Sequence, residues 1–293
     1  MRIDLRQKSS AEIMEWFEKN ASEKQERIEA EVLESDIERI GYKAFTDLSQ
    51  IFFMKMLTPH VSGQSVILRF EKLNQDSSFH KTDRGDEKYG VESEFFSIDK
   101  TAQFSFLYYY QQALRFINIK EKKRILNLGI NKGDEFKVIK EMLDDENFDA
   151  KEFIGIDYSD SVIRYASKEL PHANCSFISH DINTLDALDL GEFDLIISIG
   201  TLQSSNINFN ATFMYLYQKY LAEGGAVILG FPNCRWIDGE MIYGAKAPNY
   251  SFSEMSLVLK DIHFCKKYLQ QKKYRVTVTG KDYLFLTARK ISL

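Results

Sequence analysis

The stretch ILNLGINKGDEF, from Ile125 to Phe136, decides the fold of this 293-residue chain. Its first four residues are mostly apolar, as in a strand buried on both faces, and apolar residues recur at helical spacing after Phe136. Between them lie Gly129 and Gly133, where a backbone without Cβ can turn tightly and let a ligand approach. The stretch predicts a strand, a glycine turn and a helix whose free N–H groups point at the turn.

Strands and helices alternate on both sides of this turn. The apolar runs predict a helix over residues 101–117 and strands over residues 124–129, 152–157, 175–180, 193–199 and 225–231. Such alternation is typical of a parallel sheet with helices on both faces. A helix from Ser251 to about Lys272 follows, and only a short link then joins two final strands, Arg275–Thr279 and Tyr283–Ala288. These two strands must form an antiparallel hairpin.

Two acidic residues stand where the second and third predicted strands end. Asp157 is placed to accept hydrogen bonds from both hydroxyls of a ribose. Asp181 can accept from the exocyclic amine of adenine while the N–H of Ile182 meets a ring nitrogen. Either acid alone could cap a helix, but the pair, together with the glycine turn, predicts a nucleoside site. The turn lacks the spacing of a phosphate-gripping P-loop and of a dinucleotide-binding loop.

These motifs resemble those of the class I S-adenosylmethionine-dependent methyltransferases over about residues 100–290. ILNLGINKG, GIDYS, HDI and FDLIISIGTLQ look like that family's first motif, second motif, adenine motif and fourth strand. The resemblance implies a Rossmann-like α/β sheet of seven strands in the order 3-2-1-4-5-7-6, with the last strand antiparallel. It also implies a methyltransferase that uses S-adenosyl-L-methionine as its cofactor. The implied cofactor-binding residues are Asn127, Gly129, Asn131, Gly133, Asp157, Tyr158, Asp181, Ile182, Ile199 and Gln203.

Two residues of the first motif depart from the family pattern. The family usually has an acid at the position of Asn127 and a glycine at that of Asn131. An acid helps to neutralise the positive charge of the cofactor, whereas an asparagine accepts a hydrogen bond without supplying charge. We therefore expect weaker cofactor binding or a variant orientation of the methionine end. Asparagine tolerates left-handed backbone better than other non-glycine residues, so the turn itself remains compatible.

The longest connection at the carboxyl end of the predicted sheet is FPNCRWIDGEMIYGAKAPNYS, residues 231–251. Ligands of open parallel sheets bind at that end, and a loop of this length inside a domain is typically functional. Arg235, Trp236 and Tyr243 are therefore candidates for binding the methyl acceptor by charge and stacking, although Trp236 could equally pack the loop onto the domain. Tyr110 is a further candidate, with a buried helix aromatic as its alternative. The catalytic residues stay unassigned.

Residues 1–97 are predicted to form an N-terminal α+β extension, serving as a lid or partner region, and residues 98–293 the methyltransferase domain. The polar stretch of residues 74–93 is interpreted as a surface loop or mobile lid. In the rest of the extension we expect a helix from Ser9, a β-hairpin over residues 51–70, and between them a charged helix carrying Ile28, Val32, Ile37 and Ile40.

Composition limits the location of the protein. An apolar fraction of 44% without any run of about 18 apolar residues is typical of a globular chain that does not span a membrane. The N-terminal residues lack the uninterrupted apolar segment of a signal peptide, so a cytoplasmic protein without a membrane partner is expected. Three scattered cysteines and five histidines without ligand spacing predict no metal site.

The identity of the acceptor is the open question. A small or medium-sized acceptor is favoured, because a net charge of −5 argues against a surface that coats nucleic acid. A basic run over residues 266–293 keeps RNA or protein methylation as an alternative, with nucleic acid the less favoured partner. Asn127 keeps a third alternative, a non-catalytic binding module with the same fold. The oligomeric state is not predicted.

Overall fold

The computed structural model describes residues 1–21, 25–75, 90–245 and 254–291, and the chain divides into two compact units. One unit comprises Met1–Lys81 with Trp236–Ile242, and the other comprises Thr82–Arg235 with Tyr243–Leu293. The division therefore falls before residue 97, the predicted domain limit, and one later segment joins the N-terminal unit. Most of the predicted lid, residues 76–89, lies outside the described residues.

The first unit contains a four-stranded sheet and three helices. The sheet has the order β1-β2-β4-β3, with β1 parallel to β2 and antiparallel pairing elsewhere. The helix predicted from Ser9 is present, and Ser9 and Glu12 form its capping box. In chain order the elements are β1 (Arg2–Asp4), α1 (Ser10–Asn20), β2 (Arg27–Leu33), α2 (Glu34–Ile40), α3 (Tyr42–Ile51), β3 (Met54–Ser62) and β4 (Ser65–Lys72).

The predicted charged helix over Ile28 to Ile40 is wrong in its first half, because residues 27–33 form strand β2. A spacing of four between Ile28 and Val32 fits one turn of a helix and also two repeats of a strand. In the structure the side chains of Ile28, Ala30 and Val32 are all fully buried on one face of the sheet, which is the two-residue period of a strand. The predicted hairpin is present as β3 and β4, although Ile51 ends the preceding helix.

The second unit is built from alternating strands and helices. In chain order its elements are α4 (Glu94–Ser97), α5 (Phe104–Phe116), β5 (Arg124–Leu128), α6 (Asp134–Met142), α7 (Asp145–Asp149), β6 (Glu152–Asp157), α8 (Asp160–Glu169), β7 (Cys175–Ser179), β8 (Phe193–Ile199), α9 (Phe209–Lys219) and β9 (Leu221–Pro232). A small two-stranded sheet, β10 (Cys234–Ile237) and β11 (Glu240–Tyr243), follows in the chain and lies mostly in the segment that belongs to the first unit. The second unit continues with α10 (Ser256–Gln271), β12 (Tyr274–Gly280) and β13 (Tyr283–Lys290). Short 3-10 helices span Ile119–Glu121 and Ile182–Ala187.

The seven-stranded sheet has the order β7-β6-β5-β8-β9-β13-β12. Strands β5 to β9 pair in parallel, and β13 is antiparallel to both of its neighbours. The predicted order 3-2-1-4-5-7-6 with an antiparallel last strand is confirmed. The predicted helix from Ser251 begins instead at Ser256, and Ser251 lies outside the described residues.

Helices cover both faces of this sheet. On one face, Leu126 and Leu128 of β5 belong to a buried cluster with residues of α9 and α10. On the opposite face, the ring of Phe136 in α6 lies 5.0 Å from that of Phe153 in β6. Because β5 is central and covered twice, its side chains are fully buried from Ile125 to Leu128. The carboxyl end of β5 is therefore held rigidly, and the site begins there.

Candidate functional site

The glycine turn joins the carboxyl end of β5 to the start of α6. The N–H groups of Gly129 and Ile130 both donate to the carbonyl oxygen of Ile156 in β6, at 2.8 and 3.1 Å. Gly129 and Gly133 have positive φ angles of 76° and 79°, which a glycine adopts without strain. Gly133 is also the N-cap residue of α6, so the first free N–H groups of that helix face the turn.

Gly129 leaves room for the loop that follows β8. A Cβ at Gly129 would lie 1.9 Å from Oγ1 of Thr201 and 2.8 Å from the Cβ of the same threonine. Thr201 follows Gly200, whose N–H donates to the carbonyl oxygen of Gly230 in β9. The turns after β5 and β8 therefore touch, and only a residue without a side chain fits between them.

Asp157 ends β6 and holds the glycine turn from the other side. Its carboxylate accepts hydrogen bonds from the N–H of Asn131 at 3.1 Å and from the N–H of Ser159 at 3.3 Å. Burial raises the pKa of Asp157, and these N–H groups together with the charge of Lys100 oppose the rise. Tyr158, the next residue, exposes 55% of its surface beside this carboxylate.

Asp181 lies after β7 and caps the 3-10 helix of Ile182–Ala187. Its Oδ1 accepts from the N–H of Asn183 at 2.9 Å and from Nδ2 of the same residue at 3.0 Å. The helix-cap role considered for Asp181 is therefore present. Both hydrogen bonds are accepted by Oδ1, so Oδ2 can still accept a hydrogen bond from a ligand. Ile182 is buried beneath it.

Several polar atoms at this end of the sheet are buried and, among the described residues, lack a hydrogen-bond partner. Those near the glycine turn are both side-chain polar atoms of Asn127, Oδ1 of Asn131, Oε2 of Glu135 and Oε1 of Gln203. Leaving such groups unpaired costs about 1–3 kcal/mol each. All of them belong to the glycine turn, to the strand and helix that flank it, or to the loop after β8. Donors and acceptors without partners around the end of β5, among the described residues, fit a polar ligand.

Glu135 and Lys100 were not among the predicted site residues. Their side chains form an ion pair that is 1% exposed at Glu135 and 12% exposed at Lys100. Burial opposes the charge of Lys100, but the carboxylates of Glu135 and Asp134 outweigh it and raise the pKa of Lys100. Burial also raises the pKa of Glu135, and the charge of Lys100 opposes that rise. An acid in the first turn of α6 is visible in the sequence. Its burial against a lysine far away along the chain is not.

Tyr110 and Ile199 are buried, and Gln203 is half-buried. Tyr110 has no exposed surface, and its hydroxyl donates to the carbonyl oxygen of Glu135 at 3.3 Å. Tyr110 therefore occupies the position of a buried helix aromatic, the alternative to a role in acceptor binding. There its hydroxyl supports the first turn of α6. Ile199 ends β8, and Gln203 lies in the loop beyond it.

The long connection after β9 is not an irregular loop throughout, because β10 and β11 form a hairpin within it. The two turn residues, Asp238 and Gly239, both have positive φ, as a type I′ turn requires. Trp236 is buried and belongs to the first unit, together with the turn. Arg235 is half-buried, which lowers its pKa, and Tyr243 is half-exposed with its hydroxyl 3.9 Å from Sδ of Met255.

The basic run near the C-terminus lies partly on the hairpin of β12 and β13. Arg275 and Arg289 are directly opposite each other, and their guanidinium groups lie 5.6 and 5.1 Å from the ring centre of Phe116. These positions are at the start of β12 and near the end of β13. Because β12 runs in the same direction as β5 to β9, the two arginines lie at the edge opposite the glycine turn.

No helix in the described ranges is long and apolar enough to cross a membrane. No group of three or more histidine, cysteine, aspartate or glutamate side chains gathers there in a way that could hold a metal ion.

A family model described as a methyltransferase domain matches residues 119–277, more than half of the chain. No curated protein matches the sequence significantly. Similar solved structures include the plantazolicin methyltransferase BpumL in complex with SAH, which is 12% identical over 74% of this chain and 95% of that chain, with a TM-score of 0.49. A SAM-dependent methyltransferase from Aquifex aeolicus is 15% identical over 70% and 97% of the two chains, with a TM-score of 0.46. At such identities the similarity concerns the fold alone.

The contact between Gly129 and Thr201 gives a test of the turn. Gly224→Ala introduces a Cβ at φ 78° with nothing within 4 Å, so it should cost about 1–2 kcal/mol in the free energy of unfolding. Gly129→Ala adds a clash with Thr201 to the same strain and should cost about 2–5 kcal/mol. Urea unfolding measures both. Equal losses in the two variants would contradict the described packing of the turn.

Proposed function

The chain belongs to the methyltransferase domain family and depends on S-adenosylmethionine, and we propose that it methylates a small or medium-sized acceptor. The proposed donor site is supported above all by the polar atoms of Asn127, Asn131 and Gln203 that are buried and have no hydrogen-bond partner in the described part of the chain. A ligand with polar groups along its length satisfies these atoms.

The proposed donor site follows the carboxyl edge of the sheet. Asp157 holds the ribose hydroxyls and the exposed ring of Tyr158 lies against the nucleoside, while Asp181 and the N–H of Ile182 hold the adenine. Gly129 and Gly133 flank the methionine part, while the space of their missing side chains is taken by Thr201 and Leu170. The other proposed contacts to the donor are Asn127, Asn131, Ile199 and Gln203.

Methyl transfer requires little from the protein besides alignment. The cofactor, when bound, supplies a methyl group that its sulfonium already activates. The chain's own residues then need to fix the geometry and exclude water, and they need a base only where the acceptor must lose a proton. The buried ends of β5 and β8, with Asn127 and Ile199 almost without exposed surface, suit the exclusion of water.

We place the acceptor beside Arg235 and Tyr243, at the carboxyl edge of the sheet after β9. Arg235 offers a half-buried charge and Tyr243 an exposed ring, which together suit an acceptor with an anionic or aromatic part. A small acceptor is favoured over RNA because Arg275 and Arg289 lie at the opposite edge of the sheet. These two arginines therefore lie at the edge away from the proposed donor site.

Calorimetry with S-adenosylhomocysteine tests the donor site directly. We expect one saturable site per chain. Absence of saturable binding would overturn the proposed site. Labelled S-adenosylmethionine incubated with a cell extract then separates the acceptors, because label in the low-molecular-weight fraction supports the small acceptor. Label confined to protein or RNA would refute it.

Asp157→Asn should weaken S-adenosylhomocysteine binding, because the amide accepts from the ribose less strongly than a carboxylate does. The loss expected for a hydrogen bond to a charged group is about 1.5–3 kcal/mol, roughly 10- to 150-fold in affinity. The pKa of Asp157 is raised, so wild-type affinity should fall as pH decreases, at a higher pH than for an ordinary aspartate. Calorimetry across pH should show no such decline in the variant.

The stability of the same variant relative to wild type, measured without ligand, should increase as pH rises. A carboxyl group whose folded pKa is raised gives stability that is complete below its unfolded pKa and is lost as pH rises through the folded pKa. Asn does not titrate, but it has one acceptor oxygen where the carboxylate uses two, Oδ2 for the N–H of Asn131 and Oδ1 for that of Ser159, so it loses one of these bonds at every pH. A difference in Tm between the two proteins that stays the same from acidic to neutral pH would contradict this reading of Asp157.

Arg235→Gln tests the acceptor site. We expect transfer of label to fall at least about tenfold, as for loss of a charged hydrogen bond. S-adenosylhomocysteine affinity should stay within about twofold, because that variant leaves the proposed donor site intact. Arg275→Gln is the matched control, since it removes an arginine at the opposite edge of the sheet. Equal transfer by Arg235→Gln and the control would rule out Arg235 as an acceptor contact.

A further inference from the structure

The buried ion pair of Lys100 and Glu135 is incomplete within the described residues. Lys100 donates one hydrogen bond, to Oε1 of Glu135, and its ammonium group has three N–H donors. Oε2 of Glu135 is buried without a partner. Burying an ion pair is favourable only when its remaining donors and acceptors are also satisfied. Among the described residues the pair therefore has one carboxylate oxygen without a hydrogen-bond partner and an ammonium with further N–H donors, whose other described neighbours include the Phe106 ring, 5.7 Å from Nζ to the ring centre.

The pair lies at the proposed donor site. Glu135 is the second residue of α6, directly after the glycine turn, and it is 1% exposed. Lys100 is close enough to Asp157 for the charge of each to shift the pKa of the other. The pair thus lies near both the turn after β5 and the carboxylate that ends β6.

The chemistry of the pair matches an α-amino acid. Such a group carries an ammonium and a carboxylate on one carbon, so it presents donors and acceptors side by side. An unsatisfied carboxylate oxygen next to an unsatisfied ammonium is complementary to that arrangement. The side chain of Asn127 is also buried and has no partner among the residues that the structure describes, but it is neutral and cannot balance a positive ligand.

We propose that Glu135 and Lys100 bind the amino-acid end of S-adenosylmethionine, with Glu135 Oε2 accepting from its ammonium and Lys100 donating to its carboxylate. Glu135 then supplies, from the start of α6, the negative charge that Asn127 does not supply from β5. The pair consists of positioning residues, which hold the donor without taking part in bond making. This inference rests on the proposed donor site.

Two ligands separate the contributions. S-adenosylhomocysteine contains the amino-acid end, and 5′-methylthioadenosine contains the adenosine and sulfur without it. Calorimetry of Glu135→Gln should show S-adenosylhomocysteine affinity at least about tenfold lower than wild type, because a charged hydrogen bond is lost. Affinity for 5′-methylthioadenosine should stay within about twofold.

The control is Glu152→Gln, which removes a carboxylate paired with Arg124 at the opposite edge of the same sheet. It should leave both affinities unchanged. If Glu135→Gln leaves a lysine buried without its partner and does not fold, the double variant Lys100→Gln/Glu135→Gln removes both charges and is judged by the same ratio of affinities.

Each outcome decides between the hypotheses. A lower affinity for S-adenosylhomocysteine with unchanged affinity for 5′-methylthioadenosine supports the pair as the amino-acid subsite. Unchanged S-adenosylhomocysteine binding, or an equal loss of both ligands, overturns the subsite while the donor site stands. Failure of wild-type protein to bind either ligand overturns the donor site and the subsite together.

Discussion

The close approach of Gly129 to Thr201 is the constraint on which the proposed site depends. It brings the turn after β5 against the loop after β8, and it admits no side chain at the glycine. The carbonyl of Ile156 binds the same turn through two N–H groups, which fixes it to the end of β6. Three neighbouring strands are thereby held at their carboxyl ends. Groups from separate parts of the chain can act on one ligand because of this restraint.

The large sheet could be predicted from the sequence because local pattern and connectivity agree. Short apolar runs separated by helical periods allow few topologies, and the short link before Tyr283 requires a hairpin. Strand β2 was mispredicted because Ile28 and Val32 satisfy both periods and Ala30 is too small to reveal the alternation. The hairpin of β10 and β11 did have a signal, the Asp238–Gly239 pair between apolar residues, which is typical of a type I′ turn.

The candidate site was only partly accessible to sequence reasoning. Gly129 and Asp157 are separated by short, regular elements, so their meeting at one sheet edge follows from the fold. The partnership of Lys100 with Glu135 depends on how α5 and its preceding turn pack on α6, which no local pattern encodes. The same limit applies to Tyr110. The sequence does not distinguish it from the neighbouring tyrosines of the helix, and only the packing shows that it has no exposed surface.

The unpartnered groups also bear on stability. Buried polar atoms without partners reduce the free energy of unfolding, and burial that raises the pKa of Asp157 does so as well at neutral pH. Both destabilising contributions, the unpartnered polar atoms and the buried carboxyl of Asp157, lie at the carboxyl edge of the sheet. The remaining length of β5 to β9 buries mainly apolar side chains. A ligand that pairs with these groups recovers that free energy, since binding to the folded state alone stabilises it. The edge is thus less stable on its own than with its ligand, and that difference contributes to affinity.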